Sequence, residues 1–403
     1  MPRDLEESNQ LKKGLYMRVF VLFVFVCLLG LPIHADPLLV ATHPPQPVPS
    51  LKKDQYAVSA TRILRANSRE VVILDPATGV QTGSLLAPEG WSGPFANAIT
   101  MEGDRALICQ DGVPFWTRDA PRQQEESLLY DLNSGAVTVR FAKPKVDSGN
   151  GNWGFGDACV IEGDIVAIAM PGDDSRRRES NKKIGSVLVY DARTGALKHR
   201  IHSPYPQDTA AFGKQIFLSK GRLLVSQSGG GWNPDARAAI YAFDVQSGAL
   251  IDTAFELEPG SQWFFRRFAL DGDQLAVSLL TTHRAQKKGV ENRTLLVDLN
   301  TGDPVAGFPA PDPGIEGFGV ALAFQDERLL IGARADHGTN EHVFLFDSAT
   351  GSLLETFTPE TPGTYFGINL AVSRNTVLIE HRMRPEWEET GRAALIYRLP
   401  IAD

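Results

Sequence analysis

"LFDSATGSLLETF", residues 345–357, is the stretch that decides the fold. An apolar run ends in Asp347, a short turn ends in Gly351, and a second apolar run follows. The same Asp-turn-Gly phrase stands at 75–79 ("DPATG"), 131–135 ("DLNSG"), 191–195 ("DARTG"), 244–248 ("DVQSG") and 298–302 ("DLNTG"), roughly every 50 to 60 residues. Each copy follows alternating or β-branched apolar residues, as in "SVLVYD" and "TLLVDL", which is a hairpin pattern. The Asp side chain can accept hydrogen bonds from backbone N–H groups two and three residues on. The Gly supplies the left-handed conformation that closes a longer hairpin turn. Turn chemistry accounts for these aspartates, and none is a candidate catalytic residue.

A second phrase lies upstream of each turn: Phe, usually Gly, then two apolar runs separated by a polar turn. It begins at Phe155 ("FGDACVIEGDIVAIA"), Phe212, Phe318 and Phe366, with degenerate copies at Phe95 and Phe264. In all six copies the second turn residue lies nine positions after the Phe. Fixed spacing through two strands implies one hairpin used repeatedly. Two hairpins per unit make a four-stranded antiparallel sheet, strands A to D, which cannot bury both faces alone. Arranged radially, each sheet covers the next, and the sequence predicts an all-β fold, a β-propeller.

The ends set the blade count. "KDQYAVSA" (53–60) matches "GDQLAVSL" (272–279) and reads as strand B of a first blade. Prolines 44, 45, 47 and 49 weaken that blade's inner strand. The last unit stops at "ALIYRLP", where its Asp turn should follow, and so lacks strand D. An open outer edge invites aggregation. "PLLVATH" (37–43) is the candidate outer strand, giving seven blades in a ring closed by the N-terminal segment.

The Phe-Gly phrase, the "GD" turn and the "VYDxxTG" hairpin resemble the FG-GAP repeat of integrin-α-type propellers and their bacterial relatives; "AIAMPGDD" (167–174) is similar to that repeat's Gly-Ala-Pro portion. The resemblance covers nearly everything after residue 50 and implies a binding or adhesion module. Some such repeats hold calcium on an Asp-x-Asp-x-Asp-Gly loop, which supplies the six to eight oxygens the ion needs. The turns here, such as "IEGDI" and "LSKGR", are too short for that, with "LDGD" (270–273) the nearest approach. Quinoprotein-type propellers place a docking Trp four residues after the turn Gly. Here Gly83, Val139, His199, Asp252 and Glu355 occupy that position, and no cofactor is expected.

Residues 20–31, "FVLFVFVCLLGL", follow Lys12, Lys13 and Arg18 and precede "PIHAD". This is the layout of a secretory leader, residues 1–35, too short for a comfortable membrane span. The expectation is a single propeller domain over 36–403, secreted or periplasmic, with no stable membrane anchor. Cys109 and Cys159 then remain, placed on adjacent blades, either bridged or as two buried thiols. A formal charge of −8 argues against general nucleic-acid binding. Asn292-Arg293-Thr294 is a glycosylation sequon.

The A–B and C–D turns share one face and are tight. The B–C and D–A connections share the other, are long and irregular, and are where binding residues are expected. Trp116, Trp232 and Trp387 lie there among Asp, Glu, Arg and Asn, suited to stacking on a sugar or peptide side chain. Arg334 and His337 join them as ligand-binding candidates. Trp153 and Trp263 directly precede the Phe phrase and are expected to pack between blades, and "DDSRRRESNKK" (173–183) reads as a solvated loop. His283, His337 and His381, with Asp336 and Glu380, do not make a metal spacing. No catalytic signature is present. The leading expectation is a non-enzymatic module binding protein or glycan. The rivals are a hydrolase or lyase acting in the central pocket of the same face, and a periplasmic assembly scaffold.

Overall fold

The computed structural model describes residues 38–46, 56–66, 70–91, 95–110, 126–144, 154–173, 185–205, 212–227, 238–257, 261, 263–281, 291–334, 341–360, 365–382 and 392–399. Residues 38–399 form one compact unit. Seven four-stranded antiparallel sheets are laid in a ring, with no helix among the described residues. Blades 1 to 6 span 56–86, 98–142, 159–202, 216–257, 263–309 and 321–357, each with its strands hydrogen-bonded in chain order. The inner strand of each blade meets the next, and that of blade 7 returns to blade 1.

Blade 7 joins the two ends of the chain. Its inner three strands are Leu370–Ser373, Thr376–Arg382 and Arg392–Arg398, and its outer strand is Leu38–Gln46, antiparallel to Arg392–Arg398 with Leu38 opposite Arg398 and Ala41 opposite Ile396. The expected closure is present. Pro44 and Pro45 fall inside this outer strand, at an edge position where a missing N–H costs least, and the register shifts there between His43 and Gln46. One expectation is corrected: Tyr56–Val58 is the inner strand A of blade 1 and not strand B, which is Ile63–Ala66.

Local chemistry explains the repeat. In the C–D turns Asp75, Asp131 and Asp191 each accept from the backbone N–H two and three residues on and from the Ser or Thr hydroxyl. These bonds hold their carboxyls below the usual range, the Thr78 and Ser134 hydroxyls leading at Asp75 and Asp131 and the Thr194 N–H at Asp191. The A–B turns of blades 2 to 7 have two residues. Lys220-Gly221 and Asp326-Glu327 are left-handed at both, the type I′ signature, whereas Gly103, Gly163 and Gly272 are so at the first only.

The Phe-Gly phrase is a docking turn between blades. Phe155, Phe212, Phe318 and Phe366 are fully buried. The following glycine approaches the preceding blade: a Cβ on Gly156 (φ +87°) would lie 2.5 Å from the Gln110 carbonyl oxygen. The degenerate copies have no such glycine: after Phe95 the left-handed residue is Ala96 (φ +71°), and at Phe264 the chain continues as strand Trp263–Asp271 with a register shift between Phe265 and Arg267. Aromatic pairs fill the seams, with Phe141 on Tyr190 (5.5 Å), Phe308 on Phe346 (5.3 Å) and Phe357 on Tyr397 (4.8 Å).

The tight-turn face is laced shut. The last residue of strand A caps the next blade's turn: Glu102 accepts from Gly163 N–H (2.9 Å), Glu162 from Lys220 N–H (3.0 Å) and Asp271 from Glu327 N–H (2.9 Å). Arg62 pairs with Asp104, and Lys220 and Arg222 with Asp273, across two further seams. Cys109, ending strand B of blade 2, is disulfide-bonded to Cys159 in strand A of blade 3, with Cα atoms 6.5 Å apart. The bridge, left open by the sequence, is formed.

Candidate functional site

With one face tied turn to turn, the opposite face carries the variable connections. Strand B of blade 6, Arg328–Arg334, buries Leu329, Leu330, Ile331 and Ala333 and ends with Arg334 half-exposed at this rim. The Arg334 guanidinium carbon lies over the Tyr365 ring, 4.7 Å from its centroid. Tyr365 belongs to blade 7, so the pair bridges a blade seam, and the residue is 41 % exposed.

Tyr365 is held by the Phe-Gly turn that follows it. Phe366 is fully buried, and Gly367 donates to the Glu380 carbonyl oxygen at 2.9 Å. Gly332 lies against the Gly367 carbonyl oxygen, which a Cβ there would meet at 3.0 Å. Tyr365 itself is left-handed, φ +55°. The matching residue before the Phe-Gly turn is Gly154 (φ +84°) in blade 3 and Gly317 (φ +63°) in blade 6. A bulky side chain in that conformation costs about 1–2 kcal/mol. Blade 7 therefore carries strain for a tyrosine where two sister blades use glycine.

Behind the pair, Glu380 is fully buried, and its carboxylate accepts from the Asn369 amide at 2.6 Å. Glu341, buried, starts strand C of blade 6 opposite Arg334. His381 is held below the ordinary histidine pKa by burial, with the Glu341 charge pulling the other way. Asn369 faces the central channel, a cavity of about 320 Å³ between the seven inner strands. Thr100, Gln215, Arg267 and Gln325 also line it, beside Met101, Phe217 and Leu322.

Arg334 is thus placed as expected, whereas Trp116, Trp232, Trp387 and His337 lie outside the described residues. So do Trp153, His283 and Asp336. Of the 173–183 stretch, Asp173 alone is described. It is buried rather than solvated and accepts from Arg200 Nε at 2.9 Å. The sequon Asn292 is also buried, its Oδ1 accepting from the Thr281 N–H at 2.8 Å. Trp91 packs edge-on against Phe95, 5.8 Å between centroids. Among the described residues no group of three or more His, Cys, Asp or Glu is placed to hold a metal ion. Sequence reasoning missed Tyr365. The available signal was the contrast of "GTYFG" with "NWGFG" and "IEGFG" in register.

Fold and rim together define a seven-bladed β-propeller with one locked face and one variable face. No family model matches the sequence, and no curated protein is similar to it. Among solved structures the chain is similar in fold to hydrazine synthase of Kuenenia stuttgartiensis, at 13 % identity and a TM-score of 0.56 over 93 % of this chain and 99 % of that one.

Proposed function

We propose that this protein is an exported, non-enzymatic binding module that takes a protein or glycan ligand on its loop-rich face. The observation that carries the reading is the Arg334–Tyr365 pair, an exposed ring under a guanidinium at the seam of two blades. Aromatic and Arg side chains on a rigid scaffold are the usual anchors of recognition surfaces. In sequence, Trp116, Trp232, Trp387 and His337 fall between strands B and C of their blades, in the connections assigned to ligand binding by this reading. The relation to FG-GAP propellers belongs to the same reading, supported by the recurrence of left-handed Phe-Gly turns in register. Export rests on the basic and apolar layout of residues 12–35. N-terminal sequencing of the mature protein tests it, with Asp36 the expected first residue. For the binding role the test is a glycan array and a peptide array: Trp116→Ala, Trp232→Ala and Arg334→Ala should each weaken the same ligand. Retention of binding by all three would overturn the assignment of the face.

A second reading, a hydrolase or lyase working at the central channel, is favoured by one observation. His381, kept neutral-leaning by burial, follows the buried Glu380, which bonds Asn369 at the channel wall. The fold neighbour, hydrazine synthase, is by name an enzyme. Turnover of a panel of glycosides and polyuronates, abolished by His381→Gln or His337→Ala, would favour this reading over the first.

A further inference from the structure

We infer that Arg334 and Tyr365 form the subsite for an acidic sugar, a hexuronate residue of a carboxylated glycan. The inference rests on the loop-rich face being the recognition face and specifies what that face takes.

Three observations converge. Tyr365 stands in a left-handed conformation that the equivalent residues of blades 3 and 6 meet with glycine, and backbone strain kept at an exposed side chain points to use of that side chain. Arg334 is engaged by the Tyr365 ring, while among the described residues no carboxylate, carbonyl or hydroxyl takes its side-chain N–H donors. The neighbouring buried carboxylates are committed elsewhere, Glu380 to Asn369, and Glu341 to partners of its own. The result is a planar cationic fork, preoriented by a ring and open to an anion.

A guanidinium binds carboxylate through paired N–H···O bonds, and its planar fork suits two oxygens better than a point charge would. The guanidinium covers one side of the ring, 4.7 Å from its centroid, so one compact ligand must present a carboxylate to the guanidinium edge and an apolar face to the exposed part of Tyr365. A hexuronate does this, with the carboxylate on C6 and the C–H face of the pyranose beside it. An Asp or Glu side chain offers the carboxylate without the face, and a neutral sugar the face without the charge.

The test is calorimetric titration of the mature protein with oligogalacturonate, oligoalginate and hyaluronan oligosaccharides. Their carboxyl-reduced counterparts, an uncharged glycan panel and a poly-glutamate peptide complete the set. At least one acidic oligosaccharide should bind, about tenfold or more tighter than its carboxyl-reduced form, and Arg334→Gln should remove that preference. Tyr365→Gly should weaken the same ligand at least about tenfold while the thermal midpoint stays level or rises, because the strain is relieved as the contact is lost. A merely structural tyrosine would lower the midpoint instead, and that result overturns the subsite. Binding of the peptide in place of any saccharide, lost on Arg334→Gln, assigns the pair to protein recognition and overturns the sugar. A neutral glycan bound and then lost on Trp116→Ala overturns the subsite but keeps the recognition face. Silence across every glycan and peptide overturns both.

Discussion

Two glycines in equivalent turns provide a matched test of how the blades are held together. Gly135 and Gly195 both close an Asp-turn-Gly hairpin, with φ of +69° and +72°. A Cβ on Gly135 would meet nothing within 4 Å, whereas one on Gly195 would lie 2.6 Å from the Arg140 carbonyl oxygen and 3.2 Å from Val139 Cγ1 on the preceding blade. Left-handed strain on alanine costs about 1–2 kcal/mol in either turn, offset by about 0.4–1 kcal/mol from a less flexible unfolded chain. Gly135→Ala should therefore cost about 0–1.6 kcal/mol. Gly195→Ala adds overpacking against a backbone that cannot swing aside, typically about 1–3 kcal/mol, for a total near 1–4.6 kcal/mol. Urea unfolding followed by intrinsic fluorescence, fitted with a shared slope, measures the difference. Equal costs within about 0.5 kcal/mol would refute the claim that the outer turn of blade 3 is seated on the outer strand of blade 2.

The other expectations are more direct. The Cys109–Cys159 bridge closes a separation of 50 residues, for which chain entropy gives about 4 kcal/mol, so the double Cys→Ala variant should lose roughly that in urea and become insensitive to reductant. The Asp75, Asp131, Asp191 and Asp244 carboxyls are depressed in the folded state by their turn hydrogen bonds, the side-chain hydroxyl leading in all but Asp191. Their stabilisation is present above the unfolded value near 3.9 and is lost as pH falls through the lower folded values, so the thermal midpoint should drop steeply below about pH 4. A flat midpoint from pH 4 to pH 2 would contradict this. Deleting residues 38–46 bares the edge of Arg392–Arg398, and light scattering should show self-association that the full chain lacks.

The repeat made the architecture legible, because turn chemistry writes itself into residue type: Asp347 and Gly351 announce a hairpin before any coordinate is seen. The missing outer strand was legible from an absence, the lost Asp turn after "ALIYRLP". What misled was blade 1. Its inner strand Tyr56–Val58 has only three residues and the same apolar alternation as a strand B, so similarity to residues 272–279 shifted its phase by one strand. The capping of the A–B turns of blades 3, 4 and 6 by Glu102, Glu162 and Asp271 of the preceding blade was not legible either, because the partners lie 56 to 61 residues apart. At the site, Arg334 was readable as a charge at the edge of a loop. Its partner was not, since "GTYFG" reads as an ordinary turn until its φ is compared with those of Gly154 and Gly317.

Strands from both ends of the described chain meet in blade 7, which closes the ring and leaves the variable connections on a single face. Hydrogen–deuterium exchange on the mature protein tests that directly. Amides of Leu38–Gln46 that face Arg392–Arg398 should be protected to a degree comparable with that strand. Free exchange throughout 38–46, with the strands of blades 2 to 6 still protected, would contradict it.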